Sequence, residues 1–339
     1  MKRIIFGDIH FGKKGNSHTF NKDCHRFLDD MISYASENHI KEAVFLGDWF
    51  HSRNSINVNT MKSGIDGVRK LANNFDRIIM ILGNHDLYYR DTRSVHSLEF
   101  VKEFENVVLV EDTLIEGDST YVSWLTEEDH KNIHNFNTKY VFGHFEIPTF
   151  LLNNIIRMPE NGLIGVESFD NKVEYVFSGH FHKRQLKRSK KGYEIHYIGN
   201  CFPHDFSDAN DIQRGFCVLE DDKEPRYVNW KETPNYISAP LSYILRNPFG
   251  TINSNSYAKI EVDINVSNDE VMFIREELLK IHGNRELSFV YPTNDEEDDM
   301  DDLDDSTFKS IDDIVLKALD NVDSSSYNKE MLKKYYMQV

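Results

Sequence analysis

The sequence predicts an α/β protein built on parallel strands, on two observations. Short apolar runs at Lys2–Phe6, Glu42–Leu46, Arg77–Leu82, Tyr140–Phe142 and Val173–Phe177 have the length and unbroken hydrophobicity of strands buried on both faces. Between the first three lie segments of helical period. Phe20–Asn38 sets Phe27, Met31, Tyr34 and Ala35 at three- and four-residue spacing, and Met61–Ala72 repeats the pattern with Ile65, Val68 and Leu71. Strands alternating with helices make βαβ units, whose ligands gather outside the carboxyl ends of the strands.

A polar motif begins where each of these strands stops: Asp8-Ile9-His10, Gly47-Asp48, Gly83-Asn84-His85-Asp86, Gly143-His144 and Gly179-His180-Phe181-His182. The glycines Gly7, Gly47, Gly83, Gly143 and Gly179 are expected to let the backbone turn sharply and bring the next side chain inward. Taken singly the motifs are ordinary, since an Asp after Gly at a strand end is usually a turn or a helix cap. The last is more specific, because histidines two apart on an extended segment point the same way. Together they supply seven oxygen and nitrogen donors, Asp8, His10, Asp48, Asn84, His144, His180 and His182, with His85 left over. That stock suits a two-metal centre with a shared carboxylate, the kind of site that hydrolyses phosphate esters.

The rest of the chain is read in order. Lys183, Arg184, Lys187, Arg188, Lys190 and Lys191 follow the last histidine and end at Gly192, a hairpin turn before Tyr193–Ile198. Such a run is either a solvated face or a grip on a nucleic-acid backbone. Tyr257–Asn265 alternates like a half-buried strand. Ser267 and Glu270 form a capping box that opens a helix to about His282, and Glu286–Tyr291 returns as a strand. The stretch Asp295–Asp305 holds nine acids and no bases, which makes it a solvated linker. Beyond it, Phe308–Val322 and Tyr327–Met337 have the apolar spacing of helices, with little core of their own to cover. They either fold back on the chain or dock into a partner's groove. The divisions are therefore 1–230 for the metal-bearing domain, 236–292 for a small α/β unit, 293–305 for the linker and 306–339 for the tail.

With 339 residues the chain can bury a sizeable core. It has no run of about 18 apolar residues and no signal pattern, so it is expected to be soluble, with no membrane. Cys24, Cys201 and Cys217 are scattered and odd in number, which fits a reducing cytoplasm without a disulfide framework. A net charge of −17 runs against nucleic-acid binding, although much of it is the acidic stretch.

The five motifs resemble those of the calcineurin-like metallophosphoesterases across roughly the first 220 residues. Within that superfamily the likeness is to SbcD-type nuclease subunits of DNA repair complexes, including the recombination nuclease subunits of tailed bacteriophages. Gly47-Asp48-Trp49-Phe50-His51 and Tyr197-Ile198-Gly199-Asn200 running on to Arg214-Gly215-Phe216 add to it. Asn200-Cys201-Phe202-Pro203 departs, standing where the family has a small hydroxyl residue and proline after the glycine.

The resemblance implies a two-sheet αββα sandwich with an α/β cap domain and partner-binding helices. It implies two divalent ions, Mn²⁺ above Fe²⁺, Zn²⁺ or Mg²⁺. One would be held by Asp8, His10, Asp48 and His182, the other by Asp48, Asn84, His144 and His180. His85, left unassigned and followed by Asp86, is read as the general acid or a transition-state contact for the leaving oxygen, oriented by a neighbouring carboxylate. His51 becomes a supporting or gating residue. The basic residues of the hairpin become DNA contacts, and the partner an SbcC-type coiled-coil ATPase, with this chain a homodimer inside a heterotetramer. The implied activity is duplex-end exonuclease and single-strand endonuclease in repair, recombination and replication. A metallophosphatase or phosphodiesterase acting on a small molecule or phosphoprotein shares the same ligand set. A scaffold that has lost catalysis is disfavoured because no ligand position is missing.

Overall fold

The computed structural model describes residues 2–126, 129–152, 157–159, 164–170, 172–247 and 250–291. The acidic linker and helical tail expected over 293–339 lie outside the described residues. Those described belong to one compact unit, Met1–Tyr291.

Two six-stranded sheets pack face to face. The first is built on β1 (Lys2–Phe6), β2 (Glu42–Phe45), β3 (Arg77–Ile81) and β4 (Val107–Val110), all parallel. The first three were expected to be buried on both faces, and β2 is buried at every position; β4 was not anticipated. β5 (Thr113–Glu116) and β6 (Ser119–Val122) then cross to the second sheet. It continues through β7 (Tyr140–His144), β8 (Tyr175–Gly179), β9 (Gln185–Arg188) and β10 (Glu194–Tyr197) in the order β5-β6-β7-β8-β10-β9. The chain returns to the first sheet with β11 (Gly215–Glu220), antiparallel to β1, and β12 (Arg226–Asn229) at its edge.

Ile5, Val44 and Ile79 of the first sheet meet Tyr121, Phe142 and Phe177 of the second in one buried layer. Helices α1 (His18–Glu37) and α2 (Val58–Asn74) cover the outer face of the first sheet through Phe27, Met31, Val68 and Leu71. The outer face of the second is covered, among the described residues, by 3₁₀ turns and loops carrying Ile133, Phe136, Phe145 and Phe169.

The small α/β unit contains an element that its sequence conceals. Besides β14 (Ser256–Glu261), α4 (Asn268–His282) and β15 (Glu286–Val290), it has a strand β13 (Asn235–Pro240) and a short helix α3 (Leu241–Arg246). β13 begins just past Pro234 and ends on Pro240, so it reads as turn; its pairing with β14 makes it a strand. The capping box at Ser267 and Glu270 is formed, and α4 ends at His282 as expected. The unit packs on the core rather than standing apart. Arg285 binds Asp23 of α1, and Lys14 lies 4.2 Å above the Tyr257 ring.

Candidate metal centre

The carboxyl ends of β1, β2, β3, β7 and β8 bring all seven predicted donors into one pocket. Its backbone is more constrained than the glycines suggested. Of the five glycines at the strand ends, Gly47 alone has positive φ; the left-handed residues are Asp8, His10, Asp48 and His180 themselves. Non-glycine residues held in that region carry strain, which clusters at functional sites. The glycines serve another purpose, which is closeness. A Cβ on Gly83 would stand 2.2 Å from Asp48 Oδ1, and one on Gly179 would stand 2.9 Å from both Asp8 Oδ2 and His144 Nδ1.

On one side of Asp48, electron pairs converge. His144 Nε2 and His180 Nδ1 each lie 3.0 Å from Asn84 Oδ1, and His144 Nε2 lies 3.4 Å from Asp48 Oδ2. His144 donates its Nδ1–H to the Leu46 carbonyl at 2.6 Å, so in the neutral ring Nε2 presents a lone pair to those oxygens. On the other side, His10 Nε2 stands 3.5 Å from the same Asp48 Oδ2 and 3.3 Å from His182 Nε2. Asp8 Oδ1 accepts the His180 N–H, while its Oδ2 is buried without a partner. With the imidazoles neutral, lone pairs face lone pairs in this buried pocket, which fits divalent cations, and the mixture of carboxylate, amide and imidazole donors suits first-row metals. Asp48 Oδ2, between the two groups, is the atom placed to be shared.

Burial dominates the electrostatics, and it opposes charge. It raises the Asp8 carboxyl to about 7, lowers His182 to about 4 and His51 to about 3, and depresses His10 and His180. Asp48 and His144 are the exception. Burial works against the charge of each, but each stabilises the other, so Asp48 falls below the carboxylate range and His144 rises to about 9.

His85 stands at the pocket as expected but with a different orienting partner, and Asp86 lies away from its ring. The His85 ring is oriented by a carbonyl rather than a carboxylate: its Nδ1–H donates to the His51 oxygen at 2.6 Å, leaving Nε2 to exchange a proton. Its ring lies 4.9 Å from that of His10 and is stacked on that of His51. Asp86 lies beneath the loop, 1 % exposed, and accepts N–H groups from Asp48, Trp49 and Gly83. It fastens the second and third motifs together and does not reach His85's ring.

The basic hairpin is β9–β10, turning at Gly192 with φ 103°. Four of its six cations are engaged within the protein. Arg184 binds Asn229 and covers Tyr227, Lys187 donates to Thr149, Arg188 pairs with Glu194, and Lys191 caps the Phe169 carbonyl. The Lys190 backbone N–H donates to Glu167. Lys183, next to His182, also has an interaction within the protein.

Two residues at the site were not anticipated. Glu146 stands 3.7 Å from His180 Nε2, on the side of the ring away from Asn84; its place two residues after His144 was the available signal. His204, fully buried, packs against the rings of His10 and His182. It follows the loop that departs from the family pattern, and nothing in its immediate sequence announces it. All three cysteines are free and buried, and among the described residues no helix is long and apolar enough to cross a membrane.

The calcineurin-like phosphoesterase model matches residues 1–184. Exonuclease subunit 1 of Enterobacteria phage T4 is 24% identical over 357 aligned residues, covering 100% of this chain and 98% of that protein. Among solved structures, a dimetal phosphatase from Danio rerio is similar at 11% identity and TM-score 0.43, over 68% of this chain and 99% of that one. The nuclease MPE of Pseudomonas putida is similar at 13% identity and TM-score 0.31, over 64% and 82%. The chain belongs to the calcineurin-like phosphoesterases, and it is a metal-dependent hydrolase of phosphate esters.

Proposed function

We propose that this chain is the nuclease subunit of a DNA-processing complex, using two Mn²⁺ ions to hydrolyse phosphodiester bonds. The observation that carries the reading is the reach of the likeness to the phage exonuclease subunit, which extends over the whole chain and past the family match. Asp8, His10, Asp48 and His182 would hold one ion, and Asp48, Asn84, His144 and His180 the other. Such ions supply a polarised water and neutralise charge that gathers on the phosphoryl oxygens. The protein's own part is orientation and proton transfer. The Leu46 carbonyl fixes His144, Asp86 ties the Asp48 loop to the Asn84 loop, and the His51 carbonyl turns His85 so that Nε2 serves the leaving oxygen.

Tyr88 and Tyr89, half exposed and in edge-to-face contact at 4.8 Å, follow His85 by three and four positions. An exposed aromatic pair there suits unstacked bases, which favours single-strand cleavage beside duplex-end exonuclease action. Residues 306–339 are the proposed dock for a coiled-coil ATPase subunit, the chain being a dimer in that complex. The reading is tested by adding Mn²⁺ and labelled duplex DNA to the purified protein, with a generic nitrophenyl phosphomonoester and phosphodiester in parallel. Degradation of DNA supports it. Turnover of the monoester with intact DNA would assign the site to a small-substrate phosphatase.

A further inference from the structure

The loop that departs from the family pattern delivers a histidine to the pocket. Asn200–Pro203 leads into His204, whose ring is fully buried with neither nitrogen hydrogen-bonded. A buried imidazole in that condition has lost its water without replacement, a costly state that native proteins seldom leave unexplained. Its position is not loose. Asp208, itself buried, accepts the His204 N–H at 2.9 Å and the Asn200 side-chain N–H at 2.9 Å, and Arg214 holds the other carboxylate oxygen at 3.1 Å. Phe20 and Phe202 pack against the ring at 5.2 Å. Also against it are His10 and His182, with ring centroids at 5.4 and 5.1 Å. One ring nitrogen from each of these three histidines lies within 4.8 Å of the other two.

We propose that His204 is an additional protein ligand of the ion held by Asp8, His10, Asp48 and His182. The inference rests on the two-metal reading above and deepens it. With His204 the first position offers three imidazoles and two carboxylates, whereas the second offers two imidazoles, an amide and the shared carboxylate. Imidazole-rich sites favour the borderline cations Zn²⁺, Fe²⁺ and Co²⁺ over Mn²⁺ and Mg²⁺. The two positions are therefore unequal. The first binds more tightly and prefers the softer ion, so the Mn²⁺ of the proposed function is kept at the second position and replaced at the first.

The experiment is calorimetric titration of the metal-free full-length chain with Zn²⁺ and with Mn²⁺, on the native protein, His204→Leu and His204→Asn. Thermal unfolding identifies which variants fold. Expected are two sites in the native protein, the tighter weakened about tenfold or more by either substitution, with its Zn²⁺-over-Mn²⁺ preference narrowed and the weaker site unmoved. Two native sites whose affinities and preference survive both substitutions would overturn the role of His204 and leave the two-metal reading standing. No stoichiometric binding by the native chain would overturn that reading instead. Should neither variant fold, X-ray absorption at the zinc edge of the native chain with one equivalent of Zn²⁺, the ion the first position prefers, decides. Three coordinated imidazoles support the proposal, and two overturn it.

Discussion

The metal pocket and the basic hairpin meet between His182 and Lys183, and they are opposite in chemistry. In the pocket, buried polar atoms face one another without partners, and the donors sit on strained backbone. In the hairpin, a run of cations that looks like a binding surface is drawn into internal contacts with carbonyls, an amide, an aromatic ring and a carboxylate. Charge density along a sequence is a weak indicator of function, because long basic side chains find partners on their own surface. Unsatisfied donors at low exposure are a stronger one, because folding left them exposed to one another at a cost.

The sharpest way to break this contrast is Asp48→Ala. Removing the shared oxygen should abolish binding at both positions together with hydrolysis, read by metal titration and turnover of a small phosphodiester; one surviving full-affinity site would deny that Asp48 is shared. Next in size is His85→Ala, expected to lower turnover by about 10²–10⁴ while both metals remain. Loss of the metals in that variant would make His85 a support of the pocket.

Acidity gives a smaller graded effect. In the metal-free pocket burial holds the Asp8 carboxyl up at about 7, and Asp48 holds His144 up at about 9, so the ion at His144 must displace a proton below about pH 9 and the ion at Asp8 must displace one below about 7. Affinity at the His144 position should rise with pH by up to about tenfold per unit until about 9, and affinity at the Asp8 position should rise likewise but level off above about 7. Proton release on titration with metal measures it directly. Smallest is the hairpin. Replacing Lys187, Arg188, Lys190 and Lys191 with alanine should change the salt slope of DNA binding by no more than about one, against roughly 3.6 if each met a phosphate. The larger change would return the hairpin to the DNA surface and erase the contrast.

Much of the centre was legible because its information is local. A strand that stops, followed by Asp-x-His, Asn-His-Asp or His-x-His, states both the donor and the place where the chain turns inward. The helices α1 and α2 were legible for the same reason, since their apolar spacing repeats within a few residues. β13 and β11 were not, because what makes them strands is a partner far along the chain, β14 in one case and β1 in the other. Asp86 misled for a related reason: next to His85 in sequence, its carboxylate is turned by three backbone N–H groups toward the Asp48 loop.

The class of chemistry is written in the residues, since the donor types and their place at strand ends restrict the site to hard and borderline cations acting on phosphate esters. Which neighbours those donors have is settled by folding: His51's carbonyl for His85, the β9–β10 frame for the cations, and His204 beside His10 and His182. Donor identity is a property of one residue and survives in a string of letters. Proximity between residues nearly two hundred positions apart exists only once two sheets have packed and brought their ends together.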